Sequence, residues 1–216
     1  MNAKSFLRYS GWTGSKEIIA RLVPADSLVL DVGCSSGILG RELEKRKRCA
    51  LVGVELDSEA ASEAGRIYKN VFVGDIETLF PLPADYLQSF DVVIFADVLE
   101  HTRNPERVLS HFLSYLKAGG VVIVSLPNVA NWLNRFLLFL GKWEYSGCGT
   151  LDRTHLRFYN YRNARKLIES AGLSVESVNS TSGFHELDFK AGLYNPSKAW
   201  KSLLAYQFIF RCRLER

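Results

Sequence analysis

Cysteine is scarce and follows no pattern. The four cysteines, at positions 34, 49, 148 and 212, include no C-x-x-C pair and no repeated spacing. That excludes a disulfide framework and a cysteine-built zinc site, and makes a reducing, cytoplasmic setting the default. Long apolar runs are missing as well. Phe136 to Leu140 is far too short to cross a bilayer, and Met1 to Arg8 is too polar for a signal peptide. A soluble chain without a transmembrane segment is expected. Nor is charge of one sign concentrated. With 27 Lys and Arg against 23 Asp and Glu the formal charge is +4, short of the clustered footprint of a nucleic-acid binder. Arg46-Lys47-Arg48 reads as a solvated helix end whose cations suit the dipole, and Arg211 to Arg216 as a polar strand edge. There are no internal repeats and no low-complexity tracts.

The 216 residues, 47% of them hydrophobic, suffice for one α/β domain spanning 1–216. Strand and helix patterns alternate, the mark of βαβ units and a largely parallel sheet. Ser15 to Val23 reads as an amphipathic helix stopped by Pro24, and Ser27 to Val32 as a strand covered on both faces. A helix over Ile38 to Lys45, a strand over Ala50 to Glu55 and a helix over Ser58 to Tyr68 follow. Short strands come next at Val71–Val73 and Phe90–Phe95. Pro105 opens a helix running through Leu116 that Gly119-Gly120 should end, before a strand at Val121 to Val124. Tyr161 to Ala171 is a helix closed by Gly172, Leu173 to Val178 a strand, and Tyr206 to Cys212 the last strand. Two stretches, Asn128 to Asn160 and Thr181 to Ser197, are too long for simple connections and are candidate lids. The first is rich in aromatics. Its segment from Trp132 is apolar nearly all round, so as a helix it should pack one side on the domain and offer the other to an acceptor.

The strongest chemical signal is Asp31-Val-Gly33-Cys34-Ser-Ser-Gly37, after a strand and opening a helix. Glycines there let the backbone approach a ligand and aim N–H groups at it from a helix N-terminus. In an open α/β sheet the ligand cleft lies beyond the carboxyl ends of the strands. Glu55 ends the second strand, 18 residues after Gly37, where a carboxylate matches the vicinal diol of a ribose. Asp75-Ile76 follows the third strand, where the acid suits an adenine amino group, and Asp97-Val98-Leu-Glu100-His101 follows the fourth.

In this order and spacing the chain resembles the class I S-adenosylmethionine-dependent methyltransferases, in the subgroup with ubiquinone-biosynthesis O-methyltransferases. The likeness covers roughly residues 25 to 180. It implies a doubly wound, mostly parallel seven-stranded sheet, Rossmann-like, with the last strand antiparallel and residues 128–160 inserted as a cap. The cofactor residues it implies are Asp31, Gly33, Cys34, Gly37, Glu55, Leu56, Asp75, Ile76, Ala96, Asp97 and Val98, with Asp31 and Gly33 near the methionine moiety. S-adenosylmethionine would be the methyl donor and S-adenosylhomocysteine the product. The match departs at Ser35, which stands where the motif has its middle glycine, so the turn must accept a Cβ there. The segment after strand four lacks the N-P-P-Y pattern of amide and adenine methyltransferases. That favours a hydroxyl acceptor on a small molecule, a sugar or a lipid-linked compound, with no nucleic-acid partner.

Other readings stay open in the sequence. Gly33 to Gly37 also satisfies G-x-S-x-G, the nucleophile elbow of hydrolases, with Asp152 and His155 in triad order, although only about 30 residues precede it. The glycines at 33, 37 and 40 fit the G-x-G-x-x-G of a nicotinamide site poorly. A catalytically silent cofactor module acting with a partner enzyme is the main alternative. Among four histidines, His101 at the rim and His155 in Asp152-Arg-Thr-His155-Leu-Arg are the candidates for a general base. His111 reads as structural, and His185 carries no argument. Asp97, Glu100, His101 and His155 also form a set able to take a divalent metal, as some relatives do, but no residue is assigned as a metal ligand.

Overall fold

The structure, a computed structural model, describes residues 14–78, 81–182 and 201–215. His185 and most of the Thr181 to Ser197 stretch lie outside the described residues. Seven strands form one sheet: β1 (Leu28–Val32), β2 (Ala50–Glu55), β3 (Asn70–Val73), β4 (Phe90–Ala96), β5 (Leu116–Pro127), β6 (Leu173–Ser182) and β7 (Ala205–Leu214). Their order is β3-β2-β1-β4-β5-β7-β6, with β7 antiparallel to both neighbours and the remaining pairs parallel. This is the doubly wound, mostly parallel sheet that the motif order implied.

The period of two along each strand sorts the core into two layers. Leu30, Val32, Val93, Phe95, Val122 and Val124 face one side. There they meet Val108, Leu109 and Phe112 of α4 (Pro105–Leu113) and Leu167 and Ile168 of α6 (Tyr161–Ser170). Val29, Leu51, Val92, Ile94 and Ile123 face the other. They pack on Ile18 and Ile19 of α1 (Gly14–Leu22) and on Leu39 and Leu43 of α2 (Ile38–Lys47). Covered on both faces, these strands read as unbroken apolar runs.

Three expected boundaries move. The helix after β2, α3 (Ser58–Ala64), ends at Ala64 rather than Tyr68. Gly65, a poor helix former, follows it, and Lys69 N–H already reaches the Leu51 carbonyl so that Asn70 can join the sheet. The Gly119-Gly120 pair does not cap a helix. α4 stops at Leu113, and the pair lies inside β5, where the register with β4 jumps from Phe90–Leu116 to Val92–Val121. Gly119 takes a φ of 76° there, the bulge conformation that glycine adopts without a Cβ clash. β6 also runs on to Ser182, well past Val178.

Arginines of both basic runs form ion pairs. Arg46 pairs with Glu17 and Glu42, Arg48 with Asp26, and Arg213 and Arg211 of β7 with Glu176 of β6. All four cysteines are free thiols, and no helix among the described residues is long and apolar enough to cross a membrane.

Within 128–160 the chain is pinned at its root by asparagines. Asn128, fully buried, donates to the Ala205 carbonyl at 2.7 Å and accepts from Ala130 N–H at 3.0 Å. Asn131 caps α5 (Trp132–Phe139) by accepting from Asn134 N–H at 3.1 Å. Asn134 in turn donates to the Val129 carbonyl and to Thr150 Oγ1. The side of α5 turned to the domain is therefore polar, and the expected apolar packing is not what forms. Asn134 is its buried residue, while Trp132, Leu133, Phe136, Leu138 and Phe139 stay exposed, Phe139 by 86%.

Candidate active site

β1, β2 and β4 end side by side, so the turns that follow them share one rim. After β1 the chain must reverse within a few residues. Gly33 and Gly37 take φ of 79° and Ser35 a φ of 49°, so the turn does accept a Cβ in the left-handed region at its centre. A Cβ on Gly33 would lie 2.7 Å from Val98 Cγ2, so the strand-four tip presses directly on this turn. The N-terminus of α2 begins after Gly37 with no side-chain cap, so no side chain satisfies its first N–H groups.

Glu55 joins two of these turns. Its Oε2 accepts from Ser35 N–H at 2.8 Å, and its Oε1 from Leu56 and Asp57 N–H at 2.8 and 2.9 Å. Leu56 beside it is exposed. Asp75 Oδ1 accepts from Glu77 N–H, and Ile76 is buried beneath that turn. Cys34 is buried, and burial first, then the charges of Asp31 and Glu55, push its thiol well above the usual range. It is a packed thiol rather than a nucleophile.

Asp97 has a φ of 55° and sits half in a network that sequence reasoning missed. Its Oδ1 accepts from Ser125 Oγ at 2.7 Å and from Gln207 Nε2, while its own N–H donates to Ser125 Oγ at 3.1 Å. Ser125 is on β5 and Gln207 on β7, so two strands hold this acid at the tip of β4. Ala96 and Val98, on either side of it, are partly buried.

The two candidate histidines meet. Their ring centroids are 4.8 Å apart and nearly perpendicular, at 70°. The return segment is fastened to the rim because Leu156 and Arg157 N–H both donate to the Glu100 carbonyl, at 2.8 and 3.0 Å. Asp152 Oδ1 accepts from Thr154 N–H and Oγ1, and Thr154 O and Oγ1 each lie 3.2 Å from His101 Nδ1. Asp152 is thus committed to Thr154, and the Ser35-Asp152-His155 triad of a hydrolase is not assembled. Burial, then the nearby His101, lowers the pKa of His155, which keeps the imidazole neutral and able to take a proton. Phe158 stands 6.2 Å from His155 and carries Trp143 and Tyr145 against it, an aromatic wall beside the pair. His111, by contrast, packs edge-on against Phe112 and Tyr115.

Two buried atoms here lack partners: Glu100 Oε2 and His155 Nδ1. Glu100 is 1% exposed, and burial followed by the negative Asp97 pushes its carboxyl well above the carboxylate range. Ligand atoms of Glu100, His101 and His155 all lie within 4.8 Å of one another. Asp97, held by Ser125 and Gln207, is not part of that group.

A seven-stranded sheet in this order, with a glycine turn, a strand-two acid and a strand-four acid on one rim, defines a Rossmann-like methyltransferase fold. Residues 8–178 match a family model described as a methyltransferase domain, and the chain belongs to that family, among the class I S-adenosylmethionine-dependent methyltransferases. It is similar to the mitochondrial ubiquinone biosynthesis O-methyltransferase of Candida albicans, 27% identical over 80% of this chain and 53% of that one. The ubiquinone biosynthesis O-methyltransferase of Idiomarina loihiensis is 30% identical over 70% of this chain and 63% of its own length. The chain thus spans between half and two thirds of these curated relatives. Among solved structures, a SAM-dependent methyltransferase from Archaeoglobus fulgidus superposes with a TM-score of 0.66 at 19% identity, covering 96% of this chain and 98% of that one. Magnesium protoporphyrin IX methyltransferase from Synechocystis, with bound SAH, gives 0.63 at 17% identity, covering 93% and 82%.

Proposed function

We propose that this protein transfers the methyl group of S-adenosylmethionine to a hydroxyl of a small-molecule, sugar or lipid-linked acceptor. The observation that carries the reading is the His101–His155 pair, set on the cofactor rim against the aromatic wall of Phe158, Trp143 and Tyr145. The names of the curated relatives, O-methyltransferases, favour the hydroxyl. When bound, S-adenosylmethionine supplies an electrophilic methyl on a sulfonium. Glu55 takes the ribose diol, Asp75 and Ile76 the adenine with Leu56 against its face, and Asp31 and Asp97 the cationic methionine end. Gly33, Cys34, Gly37, Ala96 and Val98 shape the wall. Much of the chain's task is to align acceptor and donor. His155, kept neutral by burial, accepts the hydroxyl proton as the new bond forms, and His101, braced by Thr154, fixes its partner.

A divalent metal is a second reading, favoured by the unpartnered Glu100 Oε2 and His155 Nδ1. Two imidazoles and one carboxylate suit such an ion, and Glu100, His101 and His155 would hold it. It would supply Lewis-acid stabilisation of the acceptor oxygen. One assay tests both readings: labelled S-adenosylmethionine with phenolic and sugar acceptors, with and without EDTA. S-adenosylhomocysteine should accumulate only with a hydroxyl acceptor. Loss of turnover in EDTA, restored by magnesium or zinc, selects the metal reading, and unchanged turnover removes it. Cofactor binding without product for any acceptor leaves the silent module standing.

In the same reading the chain is one domain with residues 128–160 as its cap, anchored by Asn128, Asn131 and Asn134 and presenting apolar side chains outward. Limited proteolysis within 128–160 should slow when cofactor and acceptor are both present. Equal cleavage with and without them would make the segment a fixed surface element.

A further inference from the structure

Asp31 is 2% exposed, and a buried carboxylate needs partners to stay ionised. Tyr68 Oη donates to its Oδ2 at 2.6 Å across 37 residues of sequence. The tyrosine, itself 4% exposed, reaches Asp31 because α3 ends early and the chain turns inward behind Ala64. Its ring lies in a slot of glycines. A Cβ on Gly37 would stand 3.0 Å from Tyr68 Cε2, and one on Gly53 would meet Cys34 Sγ at 2.6 Å before Tyr68 Cδ1 at 3.1 Å. A Cβ on Gly40 would overlap the Tyr68 ring and hydroxyl outright. Gly37 is explained by its own backbone, with φ of 79°, but Gly40 is not. It lies inside α2, where glycine is the poorest choice short of proline, and no left-handed φ requires it. The space it leaves is occupied by Tyr68.

We propose that Tyr68 is a positioning residue, whose hydroxyl holds the Asp31 carboxylate ionised and aimed at the cationic end of the cofactor, in a slot kept open by Gly40. The proposal rests on the reading that the cofactor lies across this rim. It adds a residue that makes no contact with the reacting atoms and acts through Asp31.

Among the described residues, the charged and titratable groups acting on Asp31 are Glu55 of β2, Lys16 of α1 and Tyr68, with the Cys34 thiol beside them. Burial raises the Asp31 pKa most, the Tyr68 hydrogen bond opposes it, Glu55 raises it and Lys16 lowers it, leaving it at about 6. A cation is held by the ionised form, so cofactor affinity falls as the pH drops through that value. Removing a donor that favours the carboxylate moves the midpoint upward, by about one unit for one hydrogen bond.

Two measurements on the full chain test this. The Asp31 carboxyl is followed by 13C NMR in the free protein, and S-adenosylhomocysteine binding is measured by calorimetry from pH 5 to 8.5. Tyr68→Phe should raise the midpoint and weaken binding roughly threefold at pH 6.5 while leaving it within about twofold at pH 8.5. Gly40→Ala keeps the hydroxyl but displaces the ring, and should shift the midpoint in the same direction. It serves as the second variant if Tyr68→Phe does not fold. An unchanged Asp31 midpoint in both variants, or a loss of affinity equal at every pH together with a lower melting temperature, would make Tyr68 packing only and overturn the proposal. If S-adenosylhomocysteine fails to bind the unaltered protein, the cofactor reading falls, while the NMR midpoints still report whether Tyr68 controls Asp31.

Discussion

His155→Ala is expected to lower turnover roughly a hundredfold or more, the usual loss when a general base is removed. Cofactor affinity should stay within about twofold. The split follows from where His155 stands. It comes from the return of the 128–160 segment, its ring packs on His101 and Phe158, and none of its contacts reaches the glycine turn or Glu55. The comparison of single-turnover rate with S-adenosylhomocysteine affinity decides the matter. Parallel loss of both would make His155 a strut of the rim. His101→Ala should follow the same pattern more weakly, because Thr154 ties that ring to the backbone on one edge.

Glu55→Ala should weaken cofactor binding at least tenfold. A hydrogen bond to a charged group is worth about 1.5–3 kcal/mol, and the ribose reading gives this carboxylate two of them. The same side chain also accepts from Ser35, Leu56 and Asp57 N–H, so it clamps the two turns together even without a ligand. Glu55→Gln separates the roles. One acceptor oxygen remains to hold a turn while the charge is lost, so melting should change little and affinity should still fall several-fold. Unchanged affinity in Glu55→Ala would move the ribose away from β2 altogether.

Much of the rim was legible because its signals are local. A run such as Leu28–Val32 followed by glycines at 33 and 37 names both a buried strand and a turn of positive φ, and both occur. Acids at the end of β2 and just past β3 and β4 could be placed on one edge because parallel strands in register end together. The histidine pair was legible only as two separate candidates. Their meeting depends on Leu156 and Arg157 binding the Glu100 carbonyl, a contact across more than 50 residues that no spacing reveals. Tyr68 was hidden by a helix expected to continue through it, and Ser125 and Gln207 carried no signal at all. α5 misled for a different reason. Its apolar side chains suggested a packed face, but the asparagines at 128, 131 and 134 could satisfy buried carbonyls and so took the inner side.

Periodicity and backbone freedom, which act within a few residues, are written in the order of the amino acids. They set the alternation of strand and helix, the two-layered core and the turn that opens toward a ligand. Charge state and aim are set by what surrounds a group once water is excluded, and those neighbours come from distant segments. Asp31 answers to Tyr68, 37 residues away, and Asp97 to Gln207, 110 residues away. Such pairs exist only after β7 has inserted between β5 and β6 and the chain beyond α3 has folded inward, so the tertiary structure alone decides how these acids are held.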